Sequence, residues 1–337
     1  MQTLHPFSLP RTRVWAPALA ILSAMGLAAH GTAQASSSRP AAANGLIVFQ
    51  AYVGYTHELF TINPDGSGLQ QITKIPFKDD TEGAEQADWS PDGKTIVFDA
   101  PSSSEDTIVN LFTVAPDGTG LAELGLTYPG YNGAPSYSPD GTKIAFDQDA
   151  GDAAPTAHGI FIANADGSSP HRLTTGIKTT VAYDTNADWS PDGKWISFTR
   201  VKNKSEAAIF VVHADGGRPK RLTPWKLDAA NADWSPDGSK LVFQTYYDGT
   251  TLGESPNIFT MRPSGGKMTA LTHFKGGNAQ ALGPTWSPDG RQILWHKFTP
   301  TIDQLFLMDP HGGHVRQLTK LQHGASPSRA EWGPAAG

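Results

Sequence analysis

Short hydrophobic runs alternate with polar turns along most of the chain, and the alternation repeats. One unit is Asp88-Trp89-Ser90-Pro91-Asp92-Gly93, followed by the run Lys94-Thr95-Ile96-Val97-Phe98. Runs rich in Ile, Val, Phe and Trp predict β-strands, and Pro-Asp-Gly predicts a tight turn. Five copies of this unit occur, and each predicts a β-hairpin; their prolines are Pro91, Pro139, Pro191, Pro236 and Pro288.

A second hairpin signature lies between these copies. Its first copy is the run Leu59–Ile62 followed by the turn Pro64-Asp65-Gly66, and it occurs six times. Two hairpins give four strands for each unit. Four-stranded units that recur every 40 to 50 residues or so are typical of the blades of a β-propeller.

The two chain ends complete the count of units. Glu331-Trp332-Gly333-Pro334 resembles the start of the first signature without a following strand, and Leu46–Gln50 is such a strand without its start. We therefore predict an all-β fold over residues 45–334, a six-bladed β-propeller of four-stranded blades. In it, the C-terminal strand joins the first blade and closes the ring, so that no long sheet edge is exposed.

The pattern S-P-D-G-K-x-I-x-F resembles the PD40 repeat, related to the WD40 repeat, of the TolB-like propellers. Similar propellers occur in prolyl-oligopeptidase-type peptidases and in tricorn protease, where a separate hydrolase domain carries the nucleophile. The resemblance therefore implies a binding or scaffolding module, or a component of a TolB-like envelope assembly. TolB has an extra N-terminal domain, for which about ten residues between the predicted cleavage site and the first strand leave no room.

The first 35 residues predict a secretory signal peptide. Arg11 and Arg13 precede the apolar run Ala16–Ala29, and Ala33-Gln34-Ala35 offers a cleavage site after Ala35. The apolar run is shorter than the roughly 20 residues that cross a bilayer as a helix, so we expect no membrane span after cleavage. Residues 36–44 then form a linker, and the protein is expected to be periplasmic or secreted.

Composition excludes several kinds of function. Removing Arg11 and Arg13 leaves 24 Lys and Arg against 32 Asp and Glu, a balance that argues against nucleic-acid binding. The chain has no cysteine, which excludes disulfides and thiolate metal ligands. It also lacks G-x-S-x-G, H-E-x-x-H and phosphate-loop motifs.

The predicted ring has two rims. All Asp-Gly turns fall on one of them, the turn-bearing rim, and the loop-bearing rim carries the links between second and third strands and between blades. At the channel mouth the innermost strands contribute equivalent residues, namely Asp88, Ser136, Asp188, Asp233, Thr285 and Glu331. Their carboxylates either bind a cation such as Ca²⁺ or accept backbone hydrogen bonds from neighbouring blades. We expect no cofactor, with a channel Ca²⁺ as the alternative.

A second polar ring is expected on the same rim, where each second strand ends directly after an aromatic residue. Its members are Gln50, Asp99, Asp147, Thr199, Gln244 and His296. Hydrogen bonds at strand ends account for most of these residues, whereas His296 also suits a general base or a metal ligand. The other histidines expected on this rim are His57, His158, His273 and His323.

Aromatic residues concentrate in or beside the predicted upper loops. They are Tyr52, Tyr55, Tyr128, Tyr131, Tyr183, Trp225, Tyr246 and Tyr247. Such residues stack on sugars or anchor peptides, or pack within the loops themselves. By contrast, the repeat position of Trp89, Trp189, Trp234, Trp286 and Trp332 predicts core residues.

We therefore expect a monomeric, non-catalytic module that binds a protein, peptide or glycan of the cell envelope on its loop-bearing rim or in its channel. The alternatives are a polysaccharide lyase or hydrolase with its site around His296, and a component of a TolB-like envelope assembly.

Overall fold

The computed structural model describes residues 42–75, 83–102, 108–126, 130–149, 158–175, 182–202, 206–247, 252–322 and 324–335. The predicted signal peptide and most of the linker lie outside these residues. No helix within them is long and apolar enough to span a membrane.

Within these ranges the chain forms 24 short strands and a 3-10 helix, Trp225–Leu227. The first sheets are built from β1 (Asn44–Val53), β2 (Thr56–Ile62), β3 (Gln70–Gln71), β4 (Glu85–Trp89), β5 (Ile96–Pro101), β6 (Val109–Val114), β7 (Ala122–Glu123), β8 (Tyr131–Tyr137), β9 (Lys143–Asp149), β10 (Gly159–Asn164) and β11 (His171–Arg172). The remaining strands are β12 (Tyr183–Trp189), β13 (Trp195–Lys202), β14 (Glu206–His213), β15 (Lys220–Arg221), β16 (Ala229–Trp234), β17 (Leu241–Tyr247), β18 (Leu252–Met261), β19 (Thr269–Ala270), β20 (Gln280–Trp286), β21 (Ile293–Phe298), β22 (Asp303–Met308), β23 (Arg316–Gln317) and β24 (Ser328–Pro334).

The described strands form an all-β propeller. Four sheets have four strands each, in the orders β24-β1-β2-β3, β12-β13-β14-β15, β16-β17-β18-β19 and β20-β21-β22-β23. Strands β4 to β11 form one eight-stranded sheet, in which a single parallel pair, Val109 with Tyr131, joins two antiparallel halves. The outermost strands are two residues long, which keeps the open sheet edges short.

The sheet that contains both ends of the described chain brings β24 beside β1. The two strands are antiparallel, with Ile47 opposite Trp332 and Val48 opposite Glu331. Trp332 Nε1 also donates a hydrogen bond to Gly45 O at 3.2 Å. The predicted pairing of Trp332 with the strand that begins near Leu46 is therefore present.

Aromatic pairs hold successive strands of each sheet together. Phe49 on β1 stacks on Phe60 of β2 at 5.7 Å between ring centroids, and Phe98 on Phe112 at 5.8 Å repeats the arrangement. The equivalent second-strand rings are fully or almost fully buried: Phe49, Phe98, Phe146, Phe198, Phe243 and Trp295. The repeat-position tryptophans are buried as predicted: Trp89, Trp189, Trp234, Trp286 and Trp332.

The Ser-Pro-Asp-Gly turns are closed locally and pack against one another. In the first, Ser90 Oγ donates to Asp92 Oδ1 at 2.7 Å, and Asp92 Oδ1 also accepts from Lys94 N. A Cβ at Gly141 would lie 3.5 Å from Pro91 of the preceding turn. The turn-bearing rim is thus a row of contacting turns.

A buried ion pair anchors the sheet β12-β13-β14-β15. Arg200 Nε and Nη2 donate to the two carboxylate oxygens of Asp184 at 2.5 and 2.7 Å. Thr174 Oγ1 donates to the same carboxylate at 2.6 Å, and the guanidinium lies 5.0 Å from the Phe210 ring centroid. Both side chains are buried, so the cost of removing each charge from water is offset by its interaction with the other.

Candidate functional site

Each innermost strand is interrupted by one residue in the left-handed region of backbone conformation. These residues are Gln86 (φ 49°), Ala134 (46°), Asn186 (53°), Asn231 (53°), Gly283 (50°) and Arg329 (47°). Register shifts in the strand pairing show that each position is a β-bulge. All six line a channel cavity of about 220 Å³. We call them the bulge ring; since bulges redirect side chains, the ring shapes the lumen.

The predicted ring at the second-strand ends supports these bulges from the neighbouring unit. Gln50 Oε1 accepts from Gln86 N at 3.0 Å, and Gln244 Oε1 accepts from Gly283 N at 2.7 Å. The same contact repeats at Asp99 with Ala134 N, Asp147 with Asn186 N, and Thr199 with Asn231 N. These polar side chains therefore fix the backbone of the channel wall.

His296 departs from this arrangement. Its Nε2 lies 2.6 Å from Asp303 Oδ1, and Ser326 Oγ donates to Asp303 Oδ2 at 2.5 Å. Histidine and serine thus bind the same carboxylate. In this geometry His296 Nε2 contacts Asp303, whereas a general base would contact the serine hydroxyl itself.

The predicted carboxylate ring lies deeper in the channel than expected. Asp88 is opposite Val97, whereas Asp99 is opposite Glu85. The carboxylates of Asp88, Asp188, Asp233 and Glu331 therefore lie toward the turn-bearing rim, below the bulge ring, because each follows the bulge residue on its innermost strand. The sequence analysis placed both polar rings on the loop-bearing rim, and for these carboxylates that expectation is wrong.

Backbone hydrogen bonds link three of these carboxylates to the next unit. Asp88 Oδ2 accepts from Tyr137 N at 2.7 Å, Asp188 Oδ2 from Trp234 N at 3.0 Å, and Asp233 Oδ2 from Trp286 N at 2.5 Å. Glu331 Oε2 instead accepts from Thr285 Oγ1 at 2.8 Å. The second of the two predicted roles, bonding between neighbouring blades, is thus present in the described channel.

The carboxylates resist ionisation. Burial raises the pKa of Asp88 to about 6 and that of Asp233 to about 7. Burial, followed by the charges of Asp233 and Asp88, raises the pKa of Asp188 and Glu331 well above their usual values. The group is therefore partly protonated near neutral pH, since desolvation and like charges both favour the neutral acid.

A side-chain network crosses the channel at the level of the bulge ring. Tyr131 OH accepts from Gln86 Nε2 at 2.9 Å and donates to Asp99 Oδ2 at 3.5 Å. Asn186 Nδ2 donates to Gln86 Oε1 at 3.3 Å. The Tyr131 ring folds over Gly133, where a Cβ would collide with the phenol. Tyr131 is thus a member of this network and not a free rim aromatic.

The rim aromatics differ in exposure. Tyr55, at the tip of the β1–β2 hairpin, is 78% exposed, and Tyr52 beside it is 40% exposed. The Tyr52 ring lies 3.9 Å from that of His57, whose Nδ1 is 2.5 Å from Glu85 Oε1. Burial, and then the charge of Glu85, raises the pKa of Tyr52. This hairpin tip is the most exposed aromatic feature of the described loop-bearing rim.

The other predicted aromatics take different positions. Trp225 is partly buried against Phe210, with Lys202 and Arg221 over its ring. Tyr246 accepts a hydrogen bond from Gln244, and Tyr183 is half-buried at the start of β12. Tyr128 and the side chain of Tyr247 lie outside the described part of the chain. Of the predicted set, Tyr52 and Tyr55 are therefore the candidates for contact with a partner.

Comparison with known proteins supports the repeat assignment. The model of the TolB beta propeller domain matches residues 113–335, which is well over half of the chain. The chain belongs to the TolB β-propeller family. An uncharacterized protein of Agrobacterium fabrum is 25% identical to this TolB-family chain over 264 residues, 64% of this chain and 85% of that protein.

A solved structure and a peptidase extend the comparison. TolB from Acinetobacter baumannii superposes on this TolB-family chain with a TM-score of 0.67 at 20% identity, over 86% of this chain and 67% of that one, which shows the fold. Dipeptidyl-peptidase 5 of Porphyromonas gingivalis is 26% identical over 318 residues, 80% of this chain. The aligned part is 44% of the peptidase, so this chain spans less than half of its length.

Metal binding by this TolB-family propeller stays a prediction. Among the described residues, no group of three or more His, Asp or Glu side chains is arranged to hold a metal ion. The predicted channel Ca²⁺ site is therefore not supported by a cluster of ligands within the described residues.

Two features of the TolB-family site were missed by sequence reasoning. Arg329 belongs to the bulge ring, and His57 pairs with Glu85 on the rim. Aligning the innermost strands on their tryptophans would have placed Arg329 at the position of Gln86 and Asn186. No local signal predicts the His57–Glu85 pair, because 28 residues separate its members.

Proposed function

We propose that this chain is a non-catalytic binding propeller that holds a peptide segment of a partner protein on its loop-bearing rim. The observation that carries the proposal is the β1–β2 hairpin tip, where Tyr52, Val53 and Tyr55 are exposed side by side. Phe298, 40% exposed at the end of β21, lies on the neighbouring sheet. Exposed aromatic and aliphatic side chains on a rigid scaffold favour partner binding.

The hairpin tip is held in place and does not stand free. Tyr52 N donates to Ala325 O at 2.7 Å, which ties the tip to the segment before β24. Ala84 N donates to His57 O at 2.9 Å, which ties it to the segment before β4. A preorganised surface binds with a smaller entropic penalty than a mobile one, which supports a role in recognition.

The rim chemistry favours binding over the predicted catalytic alternative at His296. Asp303 separates His296 from Ser326, and no other acidic or histidine side chain completes a metal site within the described ranges. A glycan is the other candidate ligand. The aliphatic side chain of Val53 suits a peptide better than a sugar, which stacks on flat aromatic faces.

The rim assignment depends on ring architecture, and we propose that the ring has six blades. In this proposal the eight-stranded sheet comprises two blades joined at Val109 and Tyr131, and β24 closes the ring. Contacts across the seam support closure: Trp89 Nε1 donates to Glu331 O at 3.3 Å, and Arg316 Nη2 donates to Pro64 O at 2.7 Å. We also propose export by cleavage after Ala35 and a monomeric propeller that acts in the cell envelope.

Site-specific photo-crosslinking tests the proposal. A benzoylphenylalanine in place of Tyr55 is expected to capture a partner protein in the exporting cell, and mass spectrometry identifies it. The same group in place of Leu121, which is 43% exposed on the turn-bearing rim, is the control. Adding Val53→Ser should reduce the adduct at position 55, and the identified partner, once purified, should bind the mature chain. Equal adducts at both positions, or turnover of the partner by the purified chain, would contradict a binding rim.

A further inference from the structure

Arg329 is the one cationic side chain that lines the described channel cavity. The other charged lining residues are the carboxylates below it. None of the salt bridges among the described residues includes Arg329, so no carboxylate of these residues lies within ion-pair distance of its guanidinium. A partly buried arginine in a channel normally pairs with an acid, so its lack of one calls for a physical reason.

The backbone at Arg329 adds a second observation. Its φ of 47° is in the left-handed region, where a residue with a side chain costs about 1–2 kcal/mol. The equivalent position is glycine at Gly283 and asparagine at Asn186 and Asn231, residues that adopt this conformation more readily. Gln86 and Ala134 share this conformation, so the bulge belongs to the fold, and the feature particular to Arg329 is the positive charge that it brings to the ring.

The nearby acids already have other partners. Asp99 accepts from Ala134 N and Tyr131 OH, and Asp147 accepts from Thr185 Oγ1 and Asn186 N. Burial raises the pKa of Asp147 well above its usual value, while the charge of Arg329 lowers it. Asp147 Oδ2 is therefore bonded to two groups of β12 and not to the guanidinium.

There is room beside Arg329 for a ligand group. The innermost strand next to it is β20, whose bulge residue is Gly283. A Cβ built there would meet no atom within 4 Å. The glycine thus leaves open space in the same cavity that Arg329 lines, at the equivalent position of the neighbouring strand.

We infer that Arg329 binds a carboxylate of a peptide that enters the channel from the loop-bearing rim. A guanidinium fork matches the two oxygens of a carboxylate. The carboxylate comes either from a C-terminus or from an Asp or Glu side chain. The inference rests on the proposed function, since the rim aromatics would hold the remainder of the peptide.

An NMR titration with defined probes tests the inference. The Arg329 Nε–Hε resonance is identified by its loss in Arg329→Gln. It is followed during the separate addition of three probes: acetyl-tetraalanine with a free C-terminal carboxylate, the same peptide as a C-terminal amide, and that amide with one alanine replaced by aspartate. A saturable shift with either acid probe but not with the plain amide supports the site, and the acid that shifts it identifies the source. Galacturonate is the glycan probe.

The variants supply the controls. Arg329→Gln installs the residue that the equivalent bulge already holds at Gln86, so the bulge geometry is retained. The backbone resonances of Ala330 and Glu331 report binding in this variant. They should show an affinity for the acid probe at least roughly tenfold weaker than that of the unsubstituted chain. Arg291→Gln removes the same charge from an exposed turn and should leave the affinity unchanged.

The outcomes separate this inference from the proposed function. No saturable shift with any acid peptide, or an equal response in Arg329→Gln, overturns the carboxylate site. A response to galacturonate alone overturns the peptide assignment. If the Tyr55 photo-crosslink persists undiminished in Arg329→Gln, the rim function stands and the carboxylate site fails. If the crosslink from position 55 is already absent when Arg329 is retained, the proposed function itself fails.

Discussion

Replacing Asp88 and Asp233 with asparagine is expected to flatten the pH dependence of stability. In the folded chain their pKa values are about 6 and about 7, against 3.8 for an exposed aspartate. The unfolded chain therefore loses these protons at lower pH than the folded chain does. Their stabilising contribution is complete below pH 3.8 or so and is lost as pH rises through the folded pKa values, because folding then requires burial of charge.

The magnitude follows from proton affinity. A tenfold change corresponds to about 1.4 kcal/mol, so raising the pH from 5 to 8 would remove about 4 kcal/mol for two fully buried groups. The carboxylates are largely buried but line the channel, where water screens their charges, and we therefore expect roughly half, about 2 kcal/mol. This corresponds to a loss of about 4–8 °C in Tm, if the relation between free energy and Tm known for somewhat smaller domains also holds at this length.

The assay is thermal unfolding of the mature chain at pH 5 and pH 8, followed by circular dichroism. Asparagine retains the oxygen that accepts from Tyr137 N and Trp286 N, so the double variant should fold. It should lose the share of the pH-dependent change that these two groups supply, about 2 kcal/mol, while Asp188 and Glu331 supply a further share. Asp140→Asn is the matched control. Hydrogen bonds from Ser138 and Thr142 lower the pKa of Asp140, so its removal should leave the change between pH 5 and 8 intact. An unchanged pH dependence in the double variant would refute the assignment of raised pKa values.

Three further substitutions test the packing around the channel. Gly133→Ala should displace the Tyr131 phenol and lower the free energy of unfolding by about 1–3 kcal/mol; Gly125→Ala, where a Cβ meets nothing within 4 Å, should stay within about 0.5 kcal/mol in the same urea titration. Arg200→Met should cost about 3–5 kcal/mol because it strands Asp184, and Arg200→Met with Asp184→Leu should recover much of the loss; no recovery would contradict a paired-charge origin. Gln244→Leu should lower the free energy of unfolding by about 1–3 kcal/mol, because it leaves Gly283 N without its acceptor. Amide hydrogen exchange at Gly283 should then be faster, and an unchanged exchange rate would contradict this role of Gln244.

The repeat made the strand pattern predictable, and the departures from it were not. The Ser-Pro-Asp-Gly turns and Trp89 have local signatures, because turn chemistry and hydrophobic alternation act over a few residues. The bulges at Gln86 and Ala134 have none: these residues have little intrinsic preference for the left-handed region, and tertiary hydrogen bonds from neighbouring units hold them there.

Side-chain pairing also depended on contacts remote in sequence. Trp225 was predicted to be a rim aromatic, but Phe210 and two cationic side chains cover it. His296 was predicted as a ring member, and Asp303, on the next strand, draws it away. Pairings of this kind depend on register and on rotamers that hydrophobic patterning does not specify.

Every rim assignment depends on the proposed closure of the ring by β24, and one crosslinking measurement tests it most directly. Asn44 and Pro334 are opposite each other at the turn-side end of the β1–β24 pair, and the natural chain has no cysteine. Asn44→Cys with Pro334→Cys is expected to form an intramolecular disulfide on oxidation, seen by intact mass and by mobility without reductant. Asn44→Cys with Asp166→Cys, which pairs β1 with a turn of the eight-stranded sheet, should remain reduced. A reduced first pair, or equal crosslinking of both pairs, would contradict a propeller whose two chain ends share one sheet.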